Sequence, residues 1–440
     1  MHTTPPWSFI DTERRTTLWG AKPDDKFSIL HDAPQALDRT KSFHFAPGTE
    51  YSYSNVNFHV LGRILEEVTG MNLAQILVER LFIPAGMASA GLCPNTNGLP
   101  LPIVGYEGND TVGYFAATNR IEWAGDAGIA ASLDDMIAYE QYLDRSLSES
   151  DSPYATTAKQ QHFRDGTPAT YGFGLATSQR AGKTAISHGG ALRGFRHERL
   201  QIPSERLSVV VLLNYEAPPS LFTDHVLEKM LKYEDPKPKS IAATPELKGD
   251  YLDPETQLYL EVKAGEGVKP GTLSMNYGPG TTGATIKLTS ESTAESPGTK
   301  LKLDGDVLHV KRSDDNRTIQ AKRIQPPADA AATLAASTNV AGSYRCEEAD
   351  STFTVSGEDG VLHGSFDGFL GKGPVWIMRH LGESVWALGN PRSLDSTPPG
   401  DWTVVFKRGE DGKKVEGCTV GCWLARKLEY IMVTNEAVRE

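Results

Sequence analysis

The hydrophobic period of this chain changes once and does not change back. Residues 49–232 mix helical and strand patterns, whereas from 247 onward the sequence reads as strands separated by Gly-rich turns. Elements that bury an apolar stripe and elements that bury one pleated face pack into different layers, so one core is not expected to serve both halves. The change falls on residues 234–243, EDPKPKSIAA, a Pro- and Lys-rich stretch without apolar periodicity. Residues 325–337, QPPADAAATLAAS, interrupt the strand-like half in the same way. With 440 residues to distribute, the expected architecture is α+β in three parts. A first domain covers 1–235, and two small antiparallel β-barrels cover 236–330 and 331–440. The barrels open alike, on Gly249-Asp250-Tyr251 and Gly342-Ser343-Tyr344.

Within the first domain, residues 55–67 place Phe58, Leu61, Ile64, Leu65 and Val68 at helical spacing, with Gly70 as the stop. A second helix over 73–81 is expected to end before Pro84 and Gly86. Ser132, with Asp135 three residues on, has the form of an N-cap for a helix over 133–144 that buries Met136, Ile137, Tyr139 and Leu143. The runs 184–188, 195–202 and 206–214 are short, β-branched or alternating, and divided by Gly or Pro turns, which predicts consecutive antiparallel strands. A helix over 221–231 closes the region.

Composition removes several classes. No run of about 18 apolar residues could span a bilayer. The net charge of -12 is spread along the chain without a basic stripe, which argues against nucleic acid. Four cysteines, Cys93, Cys346, Cys418 and Cys422, match no zinc spacing, so neither metal nor cofactor is expected. Cys418 and Cys422 read as small buried residues near one strand. Residues 1–17 hold no basic segment followed by an apolar one, so a reduced, cytoplasmic setting is the expectation.

Three short strings carry the chemistry. Tyr53-Ser54-Asn55 stands at a helix start in PGTEYSYSNVNFHVLGRILEE. Gly125-Asp126-Ala127-Gly128 precedes the Ser132 cap. His188-Gly189-Gly190 ends a predicted strand and leads into Ala191-Leu192-Arg193-Gly194. In this order they resemble the second and third motifs of the penicillin-recognising serine hydrolases, the family of class C β-lactamases, D-alanyl carboxypeptidases and related esterases. PATYGFGL, GYEGNDTVGYFAATNRIEWAGDAGIAAS, GFLGK and VGCWLAR extend the resemblance to the D-aminopeptidase branch, from about residue 16 to the end.

The resemblance implies a class C β-lactamase-like first domain and a reaction through an acyl-enzyme. It implies Tyr53 as acid/base, Asn55 as a substrate-orienting amide, and His188 as a strand residue that holds Tyr53 by hydrogen bonding. Gly189 and Gly190 would admit substrate, and the Ala191 N–H would serve the oxyanion. Arg193 is either an exposed edge residue or a carboxylate contact. Asp126 either caps a turn between two glycines or pairs with the free α-ammonium that an aminopeptidase must recognise. The implied substrate is a short peptide or amino-acid amide with a small N-terminal D-residue such as D-Ala, and a homodimer is the assembly considered. The segment 390–400, NPRSLDSTPPG, matches a loop that would narrow the cleft, or is a solvated hairpin loop of the last barrel.

One motif is missing. No lysine in the sequence has a serine three residues before it, and only 52 residues precede Tyr53. The family's nucleophile sits in Ser-x-x-Lys, further upstream of the tyrosine than that. The expectation is a shortened gene product of a peptidase with little or no turnover. The alternative is a non-catalytic protein of the same fold that binds peptides or cell-wall fragments. Other hydrolase and nucleotide signatures, Gly-x-Ser-x-Gly, His-Glu-x-x-His and Gly-x-x-x-x-Gly-Lys-Ser/Thr, do not occur.

Overall fold

The computed structural model describes residues 16–22, 25–28, 32–38, 44–95, 98–100, 102–119, 121–123, 125–233, 246–264, 271–280, 283–390, 400–423 and 425–433. The first domain is organised on an antiparallel sheet of five strands: β1 (Tyr171–Gly172), β2 (Leu175–Arg180), β3 (Lys183–Leu192), β4 (Phe195–Ile202) and β5 (Leu207–Leu213). They lie in the order β5-β4-β3-β2-β1. Two-residue turns join the first three. Phe173 and Gly174 lie at φ 52 and 78°, and Ala181 and Gly182 at φ 48 and 71°. Paired left-handed residues give the turn whose twist matches that of the strands it connects.

Helix α1 (Asn55–Thr69) leads out of the tyrosine motif and ends on Gly70 in the left-handed region, as its sequence foretells. The stripe that signals the helix is nevertheless not the face it buries. Val56, Asn57, His59 and Gly62 are buried, whereas Leu61, Ile64, Leu65 and Val68 are exposed. The reason lies at Gly125, where a Cβ would stand 2.8 Å from the Phe58 carbonyl oxygen and 3.4 Å from the Gly62 Cα. The Gly125 loop packs so closely on that side that only small or backbone groups fit. The next helical run also differs from expectation. Leu73–Leu77 passes through a wide turn at Val78–Phe82 into Ile83–Ala85, and ends on Gly86 at φ 74°. The wide turn asks for no α-helical donor from Pro84, so proline does not stop the run.

Helix α2 (Leu133–Ser148) has the expected cap, with Ser132 and Asp135 bonded reciprocally, and extends four residues beyond the predicted end. Leu143 is buried, while Ile137 is exposed. Helix α3 (Ser220–Leu231) covers the sheet by packing Leu227 with Ala185, Leu200, Ile202 and Val209. Strand β3 does not end at His188. It continues through Gly189 and Gly190 to Leu192, paired with β4 from Gln201↔Ile186 to Phe195↔Leu192. Among the described residues, strand β5 forms one edge of the sheet.

Residues 249–324 form a closed barrel of eight strands, completed where Tyr251 pairs with Arg323. Residues 342–432 form a sheet of nine strands, eight of which close through Phe353↔Phe366, with Gly371–Lys372 added at the side. The two Gly-x-Tyr openings are structurally equivalent. Gly249 and Gly342 lie at φ 152 and 157°, and Tyr251 and Tyr344 each donate a hydrogen bond to the carbonyl four residues back, on Leu247 and Val340. Cys418 and Cys422 are buried and on one strand, Val415–Cys422. No described helix is long and apolar enough to cross a membrane.

Candidate active site

The site is built where the sheet runs out of partners. Strand β2 pairs with β3 only as far as Ala176↔Ser187, because it then turns back through Phe173-Gly174. Beyond that point His188 to Leu192 are paired with β4 on one side alone among the described residues. Backbone groups alternate in an antiparallel ladder. The tight turn at Arg193-Gly194 makes Leu192↔Phe195 a hydrogen-bonded pair, so Gly190 bonds toward β4 while Gly189 and Ala191 point their N–H groups to the open side. Ala191 is exposed. A Cβ on Gly190 would lie 1.8 Å from the His197 ring, so glycine there makes room for a second imidazole beside the first.

His188 is half-buried on this edge. Its Nδ1 lies 2.5 Å from the Gly189 carbonyl oxygen and its Nε2 lies 2.9 Å from the Tyr171 hydroxyl. A carbonyl only accepts, so Nδ1 carries the proton and Nε2 accepts from the Tyr171 O–H. Burial lowers the His188 pKa from its ordinary value. The Gly189 bond opposes that shift and the Arg199 charge adds to it. Tyr171 is held protonated by burial and by the neighbouring Tyr53 phenol. The three rings form a row, with Tyr53 edge-on to Tyr171 at 6.2 Å between centroids and Tyr171 5.8 Å from His188. The Tyr51 ring also meets Tyr171, tilted by 34° at 5.0 Å between centroids. Tyr53 is 40% exposed. His188 was expected to grip Tyr53; the hydrogen bond seen at its Nε2 goes to Tyr171.

The other motifs converge here. Gly125 rests on the first turns of α1, and Ala127 packs in one cluster with Ile121, Trp123 and Leu192 of β3. Asp126 therefore lies between the helix that follows Tyr53-Ser54-Asn55 and the strand that carries His188, with its Oδ2 buried. Leu370, from the GFLGK string of the last barrel, joins the same cluster. Of the two readings of Arg193, exposed edge residue or carboxylate contact, the first does not hold, and the carboxylate it meets is the chain's own Glu107. Arg193 is 3% exposed, donates to the Thr118 carbonyl at 2.9 Å and faces Glu107 at 3.4 Å, which ties the β3–β4 turn to the hairpin at 106–116. Asn55 opens α1. Of the 390–400 loop, residues 391–399 lie outside the described residues; its base is closed by the Asn390 N–H on Asp401 at 3.0 Å.

Sequence reading assigned no role to Tyr51, Tyr171 or His197. Tyr171 stands in Tyr-Gly-Phe-Gly, whose glycines announce a hairpin, but its place beside His188 follows from two successive strand registers.

An antiparallel sheet flanked by helices, with tyrosines and a histidine at an open strand edge, fits the β-lactamase-like class of domain. The β-lactamase family model matches residues 14–229, and the model described as D-aminopeptidase, domain B, matches residues 240–431. D-aminopeptidase of Brucella ovis is 40% identical over 415 residues, 94% of this chain and 77% of that one. D-aminopeptidase of Brucella anthropi is 39% identical over the same shares. Among solved structures, the penicillin binding protein from Bacillus halodurans aligns at TM-score 0.43 and 19% identity, over 52% of this chain and 70% of that one. The chain belongs to the D-aminopeptidase family.

Proposed function

We propose that the site receives short peptides or amides with a free N-terminal D-amino acid, D-Ala among them, and that Tyr53 is the acid/base of an acyl-transfer reaction. Family membership over 94% of the chain supports the substrate class. The observation that carries the reading is the row Tyr53, Tyr171, His188 beside an open strand edge. A substrate backbone laid along that edge would meet the Ala191 N–H as oxyanion donor, with Asn55 orienting its amide. Asp126 supplies the carboxylate for the α-ammonium. His188, neutral with its Nε2 facing Tyr171, fixes the phenol row rather than moving a proton itself.

Acyl transfer needs a nucleophile with a base beside it, and this sequence holds no Ser-x-x-Lys. We therefore propose that the chain binds such substrates without forming an acyl-serine. A form carrying Ser-x-x-Lys is the one expected to turn over. The missing motif equally favours a second reading, a protein that holds peptides or cell-wall fragments as its function. Fluorophosphonate labelling with intact-mass detection, run alongside calorimetric titration with D-alaninamide and L-alaninamide, tests both. No label with D-selective binding that weakens about tenfold or more in Asp126→Asn is the expected result, since the lost pair is charge-assisted. A labelled serine would overturn the no-turnover proposal, and binding indifferent to Asp126 or to chirality would remove the D-aminoacyl assignment.

A further inference from the structure

The turn that joins the first barrel's strands Val307–Arg312 and Arg317–Ile324 reaches into the first domain and touches it at two places. The Tyr51 N–H donates to the Asp315 carbonyl at 3.1 Å, and the Asn316 Nδ2 donates to the Thr49 carbonyl at 2.9 Å. Both bonds fall on the irregular approach to Tyr53, two to four residues before it. The same turn also holds the second tyrosine's segment. Thr170 Oγ1 donates to the Asp314 carbonyl at 3.3 Å, one residue before Tyr171, and Asn316 Nδ2 reaches Asp165 at 3.0 Å. Three consecutive residues of another domain, Asp314, Asp315 and Asn316, thus hold the segments that lead into both tyrosines.

The turn is built to be rigid. Arg312 Nε donates to both Asp315 carboxylate oxygens at 2.9 and 3.0 Å, and the Arg312 guanidinium lies over the Tyr277 and Trp423 rings at 4.5 and 4.6 Å. Asn316 sits at φ 53°, a left-handed conformation that asparagine accepts more readily than most residues. From the last barrel, Arg426 stacks on Trp423 at 4.9 Å and meets Glu50 at 3.5 Å, between the two bonded residues Thr49 and Tyr51.

We infer that the turn at residues 313–316 is a positioning clamp that sets Tyr53 and Tyr171 against each other, so that the first barrel fixes the geometry of the site without touching substrate. The two segments it holds are more than a hundred residues apart in sequence. Within the first domain, the Arg164 N–H donates to the Gly48 carbonyl at 2.9 Å, at the far ends of the two segments, and the rings themselves meet through tilted and edge-on contacts that are too weak to define a spacing alone. Polar bonds to one rigid external turn do define it.

The inference rests on Tyr53, Tyr171 and His188 forming the site, but its test needs no turnover, so a failed activity assay and a failed clamp remain distinguishable. Asn316→Gly removes both side-chain bonds while keeping the left-handed backbone unstrained. Hydrogen exchange of segments 49–55 and 168–172 should quicken by about tenfold or more. The 15N shift of His188 Nε2, read with labelled histidine, should move toward that of a ring exchanging between tautomers as the Tyr171 bond loosens. Asp306→Ser, at the opposite end of the strand Val307–Arg312, should change neither. Thr170→Val is the second variant, made from the other side of the contact, and should reproduce the His188 shift even if Asn316→Gly does not fold. Unchanged exchange and an unchanged His188 signal in the folded variants would overturn the clamp.

Discussion

The His188 proton is assigned by its neighbours, and that assignment makes the site sensitive to acid. Protonating Nε2 would turn an acceptor toward a hydroxyl that is already donating, in a place where burial disfavours charge. Because the folded-state pKa lies below the ordinary histidine value of about 6.5, the unfolded chain takes up the proton first as pH falls. The contribution of neutral His188 is therefore fully present above about pH 6.5 and lost progressively as pH drops through the lowered folded value. Denaturant titrations from pH 8 to pH 5 should show falling stability, and His188→Gln should flatten that fall. An identical slope in the variant would remove His188 as its source. The sequence made His188 and Tyr53 legible because their strings are local. Tyr171 was not legible as a partner, since its hydroxyl meets Nε2 only after Tyr171 pairs with Ala176 and Ala176 with Ser187.

At the scale of elements, one ion pair connects the helix above the sheet to the strand behind the site. Glu140 of α2 accepts from Arg199 of β4 through two bonds, at 2.6 and 2.7 Å, with both side chains under a tenth exposed. Arg199 stands directly opposite His188 in the ladder. Removing one partner leaves the other charge buried without compensation, at a cost of about 3–5 kcal/mol. Glu140→Ala is expected to lower unfolding free energy by about that amount. It should also lower the His188 titration midpoint further, because the Arg199 charge then acts on it without its counter-charge. A loss under about 1 kcal/mol would mean that water or another carboxylate replaces Glu140. This pair could not be read from the sequence: Glu140 occupies the buried side of an otherwise ordinary amphipathic helix. Period and caps located α2 and the strands well, whereas the run of β3 through two glycines went against their low strand propensity and depended on β4.

At the scale of the molecule, the sequence suggested breaks at 234–243, which lies outside the described residues, and at 325–337, of which Ala330–Ser337 forms a helix capped by Asp329; how the parts dock was not legible in it. The docking begins with residues that carry no motif. Leu18 is fully buried in the core of the last barrel, among Val340, Tyr344 and Phe353. Trp19 donates its indole N–H to the Ala349 carbonyl at 2.8 Å, and the Leu370 N–H donates to the Trp19 carbonyl at 3.1 Å. Gly368 must be glycine, since a Cβ there would stand 2.6 Å from the Trp19 Cα. A segment from the start of the chain thus completes a hydrophobic core near its end, and Leu370 returns to the cluster beside β3. Leu18→Ala should therefore behave as a core truncation of the last barrel, about 2–5 kcal/mol, although Leu18 lies outside that domain's sequence. Thermal unfolding followed by tryptophan fluorescence, with Trp386 and Trp402 buried in the barrel core, is the measurement. If the barrel's transition kept its midpoint in Leu18→Ala, the barrel would be complete without the segment. A midpoint lowered by several degrees would show that the first domain and the last barrel stabilise one another through this plug, independently of the polar turn that fixes the tyrosines.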